Sequence, residues 1–123
     1  MKLLLLIAAL TISINALPSF YGSISDQKNV RNFQQFIIHF ISPTNFLAHY
    51  AEWSIITHTG HDLLGDEFDE LFDKLSLYPD AKIREVVSIL NSLLTEVLQL
   101  EANYEDDYHT PVSQAIDKLN ALL

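Results

Sequence analysis

The hydrophobic residues after position 25 recur with the three- to four-residue spacing of amphipathic helices. Prolines, a glycine turn and capping residues divide this pattern into about five segments. They cover residues 25–41, 43–56, 61–77, 80–100 and 110–123, and Ser23 is an alternative start for the first. No stretch keeps the two-residue alternation of a strand for long. The sequence therefore predicts an all-α domain over residues 26–123, folded as a compact bundle or shell of about five helices.

The segment boundaries depend on local chemistry. Pro43 ends the first segment, because the residue before a proline is displaced from helical geometry. Pro43 also suits the first position of the next helix, with Ser42 as its cap, because proline has no N–H to leave unpaired. Residues 57–60, which end in a glycine, are expected to break the chain again. Prolines also mark the boundaries before the last two segments, at Pro79 and Pro111.

The fourth segment is unusually long for a small domain. A straight helix from Asp80 to Asn103 would run about 36 Å at 1.5 Å per residue. A domain of this size has an expected diameter of about 34 Å. Asn91 and Ser92 are weak helix formers near the middle of the segment. We therefore predict a kink or break at these two residues.

The N-terminal residues have the pattern of a secretory signal peptide. Lys2 supplies a positive charge, residues 3–10 are continuously apolar, and Ala16 provides a small residue for cleavage. The apolar run is shorter than the about 20 residues that span a bilayer. We expect cleavage after residue 16, an extended leader over residues 17–25, and secretion of the mature protein to the extracellular space.

Two segments carry a wider apolar face than a surface helix needs. Apolar residues between positions 83 and 100 fill about half of a helical wheel, whereas an ordinary surface helix buries a stripe of about 100°. The first segment has a similar face, formed by Val30, Phe33, Phe36, Ile37, Phe40 and Ile41. Three explanations remain: packing by neighbours on two sides, an apolar ligand cavity, or the seam of a coiled-coil dimer.

The charge of the chain restricts the classes of molecule that it is expected to bind. Sixteen acidic residues against seven basic ones give a formal charge of −9, and removal of the signal peptide takes away Lys2 and no acid. Nucleic acids and anionic membrane surfaces both attract basic proteins, so the acidic charge argues against either partner. The chain contains no cysteine, and its stability must come from an apolar core without disulfides.

The residues that carry chemistry do not form a recognisable catalytic or metal motif. His58, His61 and Asp62 are close enough in sequence to bind a metal, but zinc sites need three or four ligands and no complete set is evident. No nucleophile elbow, His-Glu-x-x-His pair or phosphate loop occurs, and three glycines leave little material for an active-site loop. We expect neither enzymatic activity nor a metal or cofactor.

Two tyrosines lie in the acidic linker between the last two segments. Tyr104 and Tyr108 are flanked by Glu101, Glu105, Asp106 and Asp107. One interpretation is a solvated loop. The other is tyrosine sulfation, because secreted proteins are sulfated at tyrosines among acidic residues.

Residues 29–90 contain an ordered series of helix features. An aromatic and aliphatic helix ends at a proline, a helix with a tyrosine follows, and then come an acidic-Phe segment and a Pro-acid step into an apolar helix. The residues concerned are Phe33, Phe36, Ile41, Pro43, Tyr50, Asp66, Phe68, Leu71, Leu75, Tyr78, Pro79, Asp80 and positions 86–90.

This series resembles one repeat of the insect-allergen-related family, secreted midgut helical proteins that include a cockroach allergen and mosquito microvillar proteins. Family members usually carry at least two repeats, whereas this chain has room for one. Asn91 and Ser92 also stand where the family has a glycine turn. The resemblance implies a helical shell around a cavity that holds fatty acids or phospholipids.

We therefore expect a secreted helical protein that binds apolar small molecules, such as fatty acids or other lipids, in an internal cavity. The expected lining residues are Phe33, Phe36, Ile37, Phe40, Val86, Leu90, Leu93 and Val97. The alternative is a secreted, non-enzymatic interaction or effector protein whose apolar helical face binds a protein partner or forms a homodimer. Neither interpretation involves nucleic acid or stable membrane insertion.

Overall fold

The computed structural model describes residues 28–123, with side chains described from Asn32 onward. This part of the chain forms six α-helices: α1 (Lys28–Phe36), α2 (Pro43–Ala48), α3 (Tyr50–Leu64), α4 (Glu67–Leu75), α5 (Asp80–Ala102) and α6 (His109–Asn120). A π-helical turn, Ile37–Ile41, continues α1. No strand occurs between residues 28 and 123, so the all-α prediction is confirmed. The expected signal peptide and the leader over residues 17–25 lie outside the described residues.

The corner between α1 and α2 forms at Ser42 and Pro43, as predicted. The Ser42 N–H donates to the Ile37 carbonyl at 3.1 Å, which is the five-residue hydrogen bond of a π-helix. Ser42 Oγ accepts a hydrogen bond from the Asn45 N–H at 2.7 Å and so caps α2. Pro43 occupies the first turn, and Pro79 stands in extended conformation directly before α5. The local signals at both prolines therefore determine where these helices begin.

The predicted break at residues 57–60 is wrong. Helix α3 passes through them and ends at Leu64, followed by Gly65 with a φ of +61°. A Cβ atom at Gly60 would lie only 2.4 Å from Cε1 of Phe68. This glycine therefore allows the Phe68 ring of α4 to lie directly on α3. Its role is close packing between helices and not reversal of the chain.

The second and third predicted segments are also divided differently. His49, with a φ of −118°, separates α2 from α3, where the sequence predicts one continuous helix. The predicted helix over residues 61–77 is split between the last turn of α3 and the whole of α4. The chain thus has six α-helices between residues 28 and 123, in place of the five that the sequence predicts.

The predicted break at Asn91 and Ser92 is wrong as well. Helix α5 is continuous over 23 residues, and the Thr95 hydroxyl donates to the Asn91 carbonyl at 3.0 Å. Leu90 and Leu93, on either side of the pair, are buried in the core. Weak helix propensity costs only some tenths of a kcal/mol per residue, and burial of one leucine outweighs it. No helix between residues 28 and 123 is long and apolar enough to cross a membrane.

Aromatic rings fill the core between α1, α3 and α4. The Phe33 ring lies 4.6 Å from Phe72, 5.0 Å from Phe68 and 6.1 Å from Trp53, measured between ring centroids. The Trp53 indole N–H donates to Asn45 Oδ1 at 3.0 Å, which satisfies its one polar group. Tilted and edge-to-face ring pairs of this kind contribute about 0.5–1.5 kcal/mol each beyond their buried area.

Helix α5 joins this aromatic region to the rest of the core. It packs against α3, α6 and the π-helical turn, so neighbours cover it on more than one side. The buried residues of its wide apolar face are Ile83, Val86, Leu90, Leu93, Leu94 and Val97. Neighbouring elements therefore bury these six residues, which agrees with the first of the three explanations that the sequence allows.

The C-terminal end of α5 has a tyrosine where glycine is usual. Asn103 caps the helix, and Tyr104 follows with a φ of +57°. The Glu105 N–H donates to the Leu100 carbonyl at 2.8 Å, and the Tyr104 N–H donates to the Glu101 carbonyl at 3.1 Å. These are the two hydrogen bonds of a Schellman motif, whose left-handed position favours glycine. The backbone makes the usual turn although the side chain is unfavourable there.

Candidate functional site

The residues predicted to line a cavity belong to one continuous apolar core. Phe40 is partly buried and packs against it, and the other seven lie inside it: Phe33, Phe36, Ile37, Val86, Leu90, Leu93 and Val97. The first four of the predicted set come from α1 and the π-helical turn, and the last four come from α5. Phe36 and Phe40 also border a surface groove. The lining role of the eight residues stays a prediction.

That groove, here called the aromatic groove, lies between α4 and the end of α1 with its π-helical turn. Its volume is about 330 Å³. Eight residues border it: Asn32, Gln35, Phe36, His39, Phe40, Phe72, Asp73 and Ser76. Three of them are phenylalanines and the others are polar. A concave surface with apolar rings and a few polar groups is the usual composition of a small-molecule site.

The rings of the aromatic groove are fixed by their neighbours. Phe36 stands 5.3 Å from Phe72 and 4.7 Å from Phe40. Phe36 and Phe72 are buried beneath the groove, and Phe40 is the half-buried ring that borders it. The His39 ring meets Phe40 edge-on at 4.6 Å. The π-helical turn contributes both His39 and Phe40, and such turns are frequent at functional sites.

Hydrogen bonds hold the polar rim of the aromatic groove. Asn32 Nδ2 donates to Asp73 Oδ2 at 2.9 Å and so links α1 to α4 across one end. The Ser76 hydroxyl donates to the Asp73 carbonyl at 2.7 Å. The exposed carboxylate of Asp73 gives the rim a negative charge, whereas Gln35 is neutral. An apolar or neutral ligand therefore suits this rim better than an anion.

A second groove, of about 410 Å³, lies between α3 and the start of α6. It includes His58 and Asp62, two of the three candidate metal ligands, whose Nε2 and Oδ2 atoms are 3.7 Å apart. The third, His61, pairs with Asp69. Among the side chains that the structure describes, no group of three or more potential ligands could hold a metal ion.

The His61–Asp69 pair connects three helices. Asp69 is completely buried, and its Oδ2 bonds to Nε2 of His61 while its Oδ1 accepts from the Phe33 N–H at 3.4 Å. Burial raises the pKa of the Asp69 carboxyl, and the hydrogen bond and charge of His61 oppose that rise. Among the described residues, no hydroxyl group forms a hydrogen bond with His61. The geometry of the pair ties α1, α3 and α4 together.

A second titratable pair links the start of α3 to the end of α5. Glu101 is half-buried, and its Oε1 has no hydrogen-bond partner among the described residues. Burial raises the pKa of Glu101, and the neighbouring Glu52 carboxyl raises it further. Glu52 in turn lies 3.5 Å from Nδ1 of His49. Burial and the neighbouring carboxyl therefore both favour the protonated form of Glu101.

Sequence reasoning missed the aromatic groove and both titratable pairs. The acidic residues of α4 appear in sequence as complements to the helix dipole. Yet Asp69 lies three residues before Phe72, which places it at the border of the apolar face of that helix. An acid at the border of an apolar stripe is the one sequence signal for its burial. Nothing comparable marks Glu52 and Glu101, which are far apart in the chain.

The chain matches no family model, no curated protein and no solved structure. The resemblance to the insect-allergen-related family accordingly stays a prediction.

Proposed function

We propose that this protein is a secreted, non-catalytic binding protein for small apolar molecules, and that the aromatic groove holds the ligand. The observation that carries the proposal is the groove itself, in which the half-buried Phe40 ring, supported from beneath by Phe36 and Phe72, meets a mostly neutral polar rim. Its volume of about 330 Å³ lies at the lower end of the range for ligand pockets. It is also roughly twice the volume of an engineered cavity that binds benzene.

Energetics favour a surface groove over the sealed cavity that the sequence suggests. An empty internal cavity of about 300 Å³ would cost roughly 7 kcal/mol at 24 cal/mol per Å³. That cost is comparable to the whole stability of an ordinary domain. A groove open to water avoids it. In this proposal Phe40 contacts the ligand, and the four α5 residues Val86, Leu90, Leu93 and Val97 support the core.

The size and charge of the groove define the ligand class. The space suits one ring or part of an acyl chain, with the remainder of a larger lipid in solvent. Asp73 and the net charge of −9 disfavour an anionic headgroup at the rim. We therefore expect neutral amphiphiles, such as long-chain alcohols or monoacylglycerols, to bind more tightly than fatty acid anions of equal length.

The rival function, a protein partner on an apolar helical face, needs exposed apolar residues in one patch. The buried face of α5 cannot supply them without unfolding. Large hydrophobic residues that are exposed in the described part of the chain come from several elements: Tyr50, Leu63, Leu77, Leu98, Tyr104 and Leu123. The aromatic groove, in contrast, is one continuous concave surface, which makes it the better candidate.

A fluorescence titration tests ligand binding. A neutral naphthylamine probe should bind the purified mature protein, and a long-chain alcohol should displace it. Replacement of Phe40 by Ala removes ring contacts worth about 1 kcal/mol and should weaken binding by roughly fivefold. Tyr50→Ala is the matched control, because Tyr50 is a half-exposed aromatic outside the groove. No probe binding, or equal loss in both variants, would refute the proposal.

The expected processing has its own measurement. The protein should accumulate in the medium when the full chain is expressed in a eukaryotic secretory cell. N-terminal sequencing of that protein should begin at Leu17, directly after the predicted cleavage site. An extracellular form that keeps Met1 would contradict the signal-peptide prediction.

A further inference from the structure

The turn after α5 presents one tyrosine side chain completely to solvent. Tyr104 is 98% exposed, and no described residue forms a hydrogen bond, ion pair or ring contact with its side chain. It also occupies the left-handed position of the Schellman motif, with a φ of +57°. A glycine there would relieve backbone strain, and the tyrosine ring gains no buried contact in return. Stability of the fold therefore gives no reason for a tyrosine at this position.

Acidic side chains surround the exposed ring in the chain. Glu105, Asp106 and Asp107 follow it directly and are all exposed, and Glu101 precedes it by three residues. Residues 103–110 contain no lysine or arginine. The turn thus presents an accessible phenol among negatively charged side chains, which suits an enzyme whose active-site cleft is positively charged.

We propose that Tyr104 is an O-sulfation site. This inference rests on the secretion that is part of the proposed function, because tyrosine sulfation occurs within the secretory pathway. The donor is a 3′-phosphonucleoside 5′-phosphosulfate, which carries one phosphate besides the phosphate bonded to the sulfo group. The Tyr104 phenol oxygen attacks its sulfur, the bond between sulfur and the bridging phosphate oxygen breaks, and a base of the transferase takes the phenol proton. The products are tyrosine O-sulfate and a nucleoside bisphosphate.

The structure distinguishes Tyr104 from Tyr108, which the sequence alone does not. Three acidic residues directly precede Tyr108, so its sequence surroundings are at least as acidic. Its ring, however, is half-buried and packs against the apolar core. Its backbone N–H donates to the Asp106 carbonyl at 2.9 Å, next to the start of α6. Entry of Tyr108 into an enzyme cleft would require these contacts to break, whereas Tyr104 needs no such change.

A transferase assay tests the site without depending on secretion. The purified protein is incubated with tyrosylprotein sulfotransferase and a radiolabelled phosphosulfate donor. Wild type and the Tyr108→Phe variant should incorporate one sulfo group, and Tyr104→Phe should incorporate none. Circular dichroism confirms that both variants are folded. No labelling of wild type, or labelling that persists in Tyr104→Phe, would overturn the proposal.

The second arm examines the protein from the medium of secreting cells. Its intact mass should exceed the sequence mass by one sulfo group, and chlorate, which blocks donor synthesis, should remove the excess. The excess mass should remain after phosphatase treatment, which distinguishes sulfation from phosphorylation. It should be absent from the Tyr104→Phe variant. An unmodified secreted protein overturns the proposal. Absence of protein from the medium, with labelling intact in the first arm, would count against secretion and not against the site.

Discussion

Replacement of Gly60 by alanine tests the close approach of α3 and α4. In an ordinary helix interior this change would stabilise the protein, because alanine has a helix propensity about 1 kcal/mol better than glycine. Here the new Cβ would lie 2.4 to 2.6 Å from three atoms of the Phe68 ring, closer than real Cβ contacts occur. We therefore expect the substitution to destabilise the protein.

The size of the effect follows from what surrounds Phe68. Overpacking of a well-filled core costs about 1–3 kcal/mol. The Phe68 ring cannot easily retreat, because Phe33, Phe72 and His61 hold it at centroid distances of 5.0, 5.2 and 5.4 Å. We expect the overpacking to cost an amount near the upper end of this range, and the higher helix propensity of alanine to offset part of it. The net loss should be about 1–2 kcal/mol, or roughly 5–10 °C in Tm.

Urea denaturation of four proteins measures this effect in a double-mutant cycle: wild type, Gly60→Ala, Phe68→Leu and the double variant. Leucine at position 68 removes the ring atoms that the new methyl group would meet. In that background Gly60→Ala should be neutral or stabilising. If the alanine variant is more stable than wild type, or if its cost is the same in both backgrounds, the described contact between the helices is refuted.

Two further predictions concern the end of α5. Replacement of Tyr104 by Gly removes the backbone strain of the positive φ and should raise the free energy of unfolding, measured by urea denaturation, by about 1 kcal/mol. Tyr104→Ala should give no such increase. Equal increases in the two variants would contradict the strain argument. Because the pKa of Glu101 is raised, the folded state binds the proton of this carboxyl more tightly than the unfolded chain does. The free energy of unfolding should therefore fall as the pH rises above 4.5, the pKa of the group in the unfolded chain. Glu101→Gln should therefore raise Tm, and the increase should be larger near pH 7 than near pH 4. Glu96→Gln is the control, because Glu96 is exposed, and it should leave Tm nearly unchanged at both pH values. An increase for Glu101→Gln that does not depend on pH would exclude this explanation.

Local signals in the sequence predicted several helix ends correctly. Ser42 with Pro43, Pro79 with Asp80, and the Thr110–Pro111 region all lie at observed helix starts, to within one or two residues. These signals depend on capping hydrogen bonds and on the missing proline N–H, which act within one turn of helix. A sequence contains that information directly.

The wrong predictions concern features that depend on contacts between residues far apart in the chain. Gly60 looks like a turn residue in sequence, but Phe68 on the next helix explains it. Asn91 and Ser92 favour a break locally, but the buried leucines beside them keep α5 continuous. The aromatic groove depends on the packing of α1 against α4, whose hydrogen-bonded residues are 36 to 41 positions apart in the chain. Periodicity identifies each apolar face, but it does not identify the partner of that face.

The placement of Trp53 gives the protein a built-in optical reporter. It is the chain's only tryptophan, it is buried beside Phe33, and its indole N–H is bonded to Asn45. Its emission should shift to longer wavelength when water reaches the indole, without any added label. That signal reports the packing of α1, α2 and α3, whereas far-ultraviolet circular dichroism reports all the helices. Coincident unfolding curves from the two signals would mean that α5 and α6 unfold together with the aromatic region as a single cooperative unit.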